Sequence, residues 1–153
     1  YTGSARRHQS ELLHDRKLDN AHRRFINKEE TIQIEDFSIT CFEVPHDATD
    51  NVGYCISVGD KTFSFITDIG HITDTAAAYI ERSNYLILEA NYDETMLQMG
   101  PYPQHLKARI ASPNGHMSNS EMANYLAEHF SGWFKISLAL SFEQRQQSSG
   151  AGI

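Results

Sequence analysis

The sequence predicts one α/β (α+β) domain built on a mixed sheet. Three observations carry that expectation. Between Thr31 and Thr67 the chain reads as short segments rich in β-branched and aromatic residues, separated by turn residues. After Thr73, helical patterns alternate with apolar strands. The 153 residues are 40% hydrophobic, enough for one core, and no apolar run approaches the ~20 residues that a membrane helix needs.

Taken in order, residues 1–24 are a variable basic segment with sparse apolar positions, Leu12, Leu13 and Leu18, expected as a loose helix or surface loop. Residues 25–142 form the main domain. Thr31 to Ile34 and Phe37 to Val44 are two strands turning at Glu35-Asp36, and Pro45 ends the second because it has no N–H for a ladder. A polar loop, His46 to Asn51, follows. Gly53 to Val58 and Lys61 to Thr67 make a hairpin across Gly59-Asp60. Thr73-Asp74-Thr75 opens a helix through Ile80, and Tyr85 to Glu89 is a strand expected to be buried on both faces. Helical stretches lie near 94–99 and 103–111. Ser118 with Glu121 forms a capping box before Met122, Tyr125, Leu126 and Phe130. Trp133 to Leu140 reads as the last strand, and 143–153 as a disordered tail.

Charge narrows the function classes. Thirteen Lys and Arg stand against twenty Asp and Glu, a net of -7. Residues 1–28 hold seven basic and three acidic residues, a net of +4, and the remainder nets -11. That argues against a whole-surface nucleic-acid binder of the usual strongly basic kind, so any polyanion must bind locally. Two cysteines, Cys41 and Cys55, cannot build a disulfide framework or a four-cysteine zinc site, and are expected as reduced core thiols of a cytoplasmic protein. The opening Tyr1 to Arg7 has neither a starting Met nor a secretory apolar stretch, which reads as a piece of something longer.

Three polar clusters leave predicted strand ends: His46-Asp47, Asp68, and Glu89-Ala90-Asn91. His and Asp there are the raw material of a metal site. By spacing alone, His46 is either a ligand or an ordinary loop histidine, and Asp68 either a ligand or the cap of the turn before Gly70.

The runs Val44-Pro45-His46-Asp47-Ala48, Val52-Gly53-Tyr54, Thr67-Asp68-Ile69-Gly70, Leu88-Glu89-Ala90-Asn91-Tyr92-Asp93, Gly100-Pro101-Tyr102-Pro103 and Gly115-His116-Met117-Ser118-Asn119 go further. In this order they resemble the metallo-β-lactamase superfamily, and within it the YycJ/WalJ-like branch of metal-dependent hydrolases related to tRNase Z. The resemblance spans about residues 25–130. It implies an αββα sandwich, incomplete at its N-terminal side, with two divalent metals, zinc or manganese, along one sheet edge. It implies His46 and Asp68 as metal ligands, Asp68 bridging two ions ~3.5–4 Å apart with a hydroxide between them as nucleophile. His116 is implied as a catalytic group that holds a phosphate oxygen or protonates the leaving group, and His116 and Asn119 as substrate-binding residues.

The departures matter equally. The superfamily's His-x-His-x-Asp-His signature is absent, since His8, His14 and His22 are too far apart to make it. The late ligand histidine is missing where Leu138 to Phe142 stands, and Tyr92 replaces an expected histidine. Two ligands on separate loops are expected to bind metal weakly, leaving this chain inactive by itself while its parent is a phosphodiester hydrolase. A non-catalytic module that lost its metals, and a small-molecule ester or thioester hydrolase, are the alternative readings. A sheet deprived of neighbours is further expected to pair with another copy or with the missing N-terminal part.

Overall fold

The computed structural model describes Thr2–Gly3, residues 25–130 and Ile136–Leu140. Two short strands, Thr2–Gly3 (β1) and Phe25–Ile26 (β2), pair in parallel. Among the described residues the main sheet has six strands in sequence order: Thr31–Ile34 (β3), Phe37–Glu43 (β4), Val52–Val58 (β5), Lys61–Ile66 (β6), Tyr85–Glu89 (β7) and Ile136–Leu140 (β8). Its first four strands are antiparallel. Tight turns make that possible: Gly59 adopts φ 57° in the β5–β6 hairpin, and Glu35 takes φ 52° in the β3–β4 turn.

Parallel pairing then requires crossovers. Helix α1 (Asp74–Glu81) links β6 to β7, and α2 (Glu94–Met99), α3 (Gln104–Ile110) and α4 (Asn119–His129) lie between β7 and β8. The fold class is the expected one, and the strand bounds agree with the sequence pattern to within two residues for β3 to β7. For the last strand the described part is Ile136–Leu140. The expectations for residues 4–24 and 143–153 lie outside the described residues.

Alternation assigns each strand residue a face. Phe42, Ile66, Leu86 and Leu88 face the helices and are buried with Ile69, Ile80 and Met117. Phe42 stacks on Tyr79 of α1 at 4.0 Å. Gly53 opposite is required there, because a Cβ would lie 2.6 Å from the Phe42 ring. Cys41 packs on the other face with Ile26 and Ile32, whereas Cys55 sits in the Phe42 cluster, so the two buried free thiols are divided by the sheet. The strand β7 is less enclosed than its composition predicts. Tyr85 and Ile87 are only half-buried, on a face where Tyr85 stacks on Phe63 at 4.5 Å.

The predicted capping box opens α4. Glu121 N–H donates to Ser118 Oγ at 3.2 Å, and Ser118 N–H donates to Glu121 Oε2 at 2.9 Å. Ser118 is fully buried. Ser118→Ala is expected to cost about 1 kcal/mol, read as a lower urea midpoint with an unchanged slope.

Candidate active site

β4 and β6 both run antiparallel to β5, and β7 runs parallel to β6, so the C-terminal ends of β4, β6 and β7 share one sheet edge. Ligand sites form at such edges because loops there converge on rigid strands. The three polar clusters of the sequence all leave the sheet at this edge.

His46 follows β4 across Val44-Pro45. The Pro45 carbonyl accepts the Gly70 N–H at 2.7 Å, which ties the exit of β4 to that of β6. His46 Nδ1 lies 2.7 Å from the Gly115 carbonyl oxygen. A carbonyl only accepts, so Nδ1 carries the hydrogen and Nε2 keeps its lone pair. Asp68, exposed at the end of β6, accepts from Thr67 Oγ1 at 3.0 Å, and its backbone carbonyl accepts from Asn51 Nδ2 at 2.6 Å.

His116 arrives from the loop between α3 and α4, where its N–H donates to the Ile110 carbonyl at 2.8 Å. Its Nδ1 donates to Glu89 Oε1 at 2.6 Å. Glu89 ends β7 and is 2% exposed, a position a carboxylate tolerates only when its oxygens are satisfied. They are: Oε2 accepts the Ile69 N–H at 2.8 Å, and Oε1 also accepts Asn91 Nδ2 at 3.2 Å. The carboxylate therefore fixes the ring of His116 and leaves Nε2 free.

One ring nitrogen of His46, one of His116 and one carboxylate oxygen of Asp68 lie within 4.8 Å of one another, the one such group of three among the described residues. The two rings are 4.8 Å apart, tilted by 59°. Two imidazoles and a carboxylate suit zinc, manganese or iron. Donors on one cation at ~2.0–2.2 Å stand no more than about 4.4 Å apart, so this group fits a divalent ion after contracting by a few tenths of an ångström. The sequence reading gave the metal only His46 and Asp68; the fold brings His116 to the same point.

Asp47 extends the cluster outward. Its Oδ2 accepts from Arg109 Nε of α3, and its Oδ1 lies 3.5 Å from His46 Nε2. The hydrogen bond and charge of the Arg109 guanidinium hold the Asp47 carboxyl below its ordinary range. The pairing stabilises the fold above the ordinary carboxylate range, and that contribution is lost as pH falls through the lowered value. Arg109 is exposed, so solvent keeps it small.

A cleft of about 300 Å³ opens beside His116, walled by Gly70, His71, Tyr92, Ser112 and Pro113. Burial, followed by the charges of Glu121 and Glu94, raises the Tyr92 phenol, which stays protonated at neutral pH. Asn119 is not part of this wall. It begins α4 behind Tyr92, donating its N–H to the Tyr92 carbonyl at 2.8 Å, with its buried Oδ1 lacking a hydrogen-bond partner. Sequence reasoning missed the Glu89–His116 pair. Its one signal was a glutamate closing an otherwise apolar strand.

A family model described as a beta-lactamase superfamily domain matches residues 4–129. Exodeoxyribonuclease WalJ of Streptococcus pneumoniae serotype 2 (strain D39 / NCTC 7466) is 35% identical over 107 residues, 70% of this chain and 40% of that protein. Exodeoxyribonuclease YycJ of Bacillus anthracis is 34% identical over 93 residues, 61% and 35% of the two chains. The chain thus spans about two fifths or less of the length of these curated relatives. The crystal structure of the short form of human tRNase Z superposes with a TM-score of 0.55 at 17% identity, over 81% of this chain and 46% of that one, a likeness of fold.

Proposed function

The chain belongs to the beta-lactamase superfamily, and on that premise we propose that it carries part of the active site of a metal-dependent hydrolase acting on phosphodiester bonds of nucleic acid. The observation that supports this best is the meeting of His46, Asp68 and His116 at one sheet edge, backed by buried Glu89. The naming of two relatives as exodeoxyribonucleases supports the substrate class.

In this reading His46 Nε2 and the Asp68 carboxylate hold divalent cation, zinc or manganese. Bound there, the cation supplies Lewis-acid stabilisation of charge developing on a phosphoryl oxygen. His116 handles the proton. With Nδ1–H held by Glu89, its Nε2 faces the cluster and either grips a phosphate oxygen or gives a proton to the leaving oxygen. Glu89 stabilises the imidazolium and stops the ring from rotating, and the Ile69 N–H stops Glu89 from swinging. The half-buried face of Phe63, Phe65, Tyr85 and Ile87 is where a second copy or a further segment would pack.

Elemental analysis tests the metal assignment directly. After loading with zinc or manganese and dialysis, the chain is expected to retain at least about one equivalent. His46→Ala and Asp68→Ala are each expected to lose it. A chain that retains none refutes the reading for these residues.

A further inference from the structure

An acidic protein that cuts a polyanion needs a cation beside the scissile group, and residues 25–130 offer five Lys and Arg against sixteen Asp and Glu. Three of the five are paired elsewhere, and a fourth lies far from the site. Lys28 pairs with Asp50 and Glu43, Arg82 lies over the Tyr79 ring, and buried Lys107 donates to the Gln98 carbonyl. Lys61 starts β6, at the end of the sheet opposite the site.

Arg109 differs from all of these. Its partner, Asp47, is 62 residues away in sequence and next to His46, so the ion pair brings a guanidinium to the rim of the candidate site. The pair uses Nε alone, and the side chain is 64% exposed. A guanidinium has five N–H donors in a rigid plane. With one on Asp47 Oδ2, the paired donors of the two terminal nitrogens remain for a second, bidentate acceptor. Asp47 orients the group without consuming it.

We infer that Arg109 is a substrate-positioning residue that grips a phosphate of the nucleic-acid strand, next to the one being cut, through its terminal guanidinium nitrogens. The inference rests on the phosphodiesterase reading above and adds the residue that anchors the strand. Geometry favours arginine over lysine here, because a planar fork can hold a carboxylate on one edge and a phosphate on the other.

The test is fluorescence anisotropy of a labelled single-stranded oligonucleotide, in chelator to remove metal, across a salt series. It compares wild type with Arg109→Gln, Arg109→Lys and Asp47→Asn. Arg109→Gln is expected to weaken binding about tenfold. It should also flatten the plot of log affinity against log salt by about 0.7, the share of one phosphate contact on a single strand. Arg109→Lys should keep the slope. Asp47→Asn breaks the same ion pair but removes a negative charge, so binding should hold or tighten. If both partners merely brace the loop, Asp47→Asn and Arg109→Gln will weaken binding alike, and the inference falls. It falls equally if Arg109→Gln, folded by circular dichroism, keeps wild-type affinity and slope. A wild type that binds no oligonucleotide fails differently, taking the phosphodiesterase reading down with it.

Discussion

Glu89→Gln is expected to slow hydrolysis about a hundredfold in the competent protein, while KM changes little and bound metal is retained. The change is nearly isosteric, so the effect comes from hydrogen-bond polarity. Glu89 receives the Ile69 N–H on one oxygen and His116 Nδ1–H on the other. A glutamine has one acceptor oxygen and one donor NH₂. If its oxygen faces Ile69, its NH₂ faces His116 and imposes the opposite tautomer, with the hydrogen on Nε2. If it faces His116, a buried N–H of Ile69 is left against a donor, at about 1–3 kcal/mol. Either way the imidazolium loses its counter-charge. Nitrogen-15 spectra of the ring report the tautomer without requiring turnover, and thermal unfolding reports the stranded N–H. A wild-type kcat with an unchanged ring spectrum would show that Glu89 only fills space. His116→Ala, which removes the proton carrier itself, should cost more, about 10²–10⁴ in kcat.

The strands were legible because their signals are local. Period-two alternation from Thr31 to Ile66, Pro45 after β4, Gly59 in the hairpin and Ser118 with Glu121 at the start of α4 each act within a few residues. The positions of His46 and Asp68 at strand ends followed from the same pattern. What could not be read is long-range pairing. Glu89 and His116 are 27 residues apart, and Asp47 and Arg109 are 62 apart. No local periodicity encodes either pair, and both depend on which strand ends the sheet order brings together. Glu89 looked like the end of an apolar strand because burial of a carboxylate becomes intelligible only once its donors are known. Tyr85 and Ile87 misled in the other direction: apolar composition marks a residue as able to be buried, and the surrounding layers decide whether it is.

The site's dependence on backbone contact yields the second large effect, which is expected from a single methyl group. A Cβ on Gly70 would lie 2.1 Å from the Pro113 carbonyl oxygen and 2.6 Å from its carbon, atoms of the main chain that cannot rotate away. Gly70 follows Asp68 and Ile69, and Pro113 precedes His116, so relieving the clash must separate the two segments that deliver Asp68 and His116. If the Gly70 segment is the one that shifts, the bonds from the Ile69 N–H to Glu89 and from the Gly70 N–H to Pro45 are strained as well. Gly70→Ala is therefore expected to destabilise the fold by about 1–3 kcal/mol and to abolish metal retention at the same time. Gly59→Ala is the control. That residue has φ 57°, with open space where its Cβ would stand, at the hairpin end remote from the site. A non-glycine residue there costs about 1–2 kcal/mol of backbone strain. The two variants should lose comparable stability in urea titrations, yet only Gly70→Ala should lose metal in elemental analysis. Equal metal retention would mean that the close contact of Gly70 with Pro113 is not what holds Asp68 beside His116.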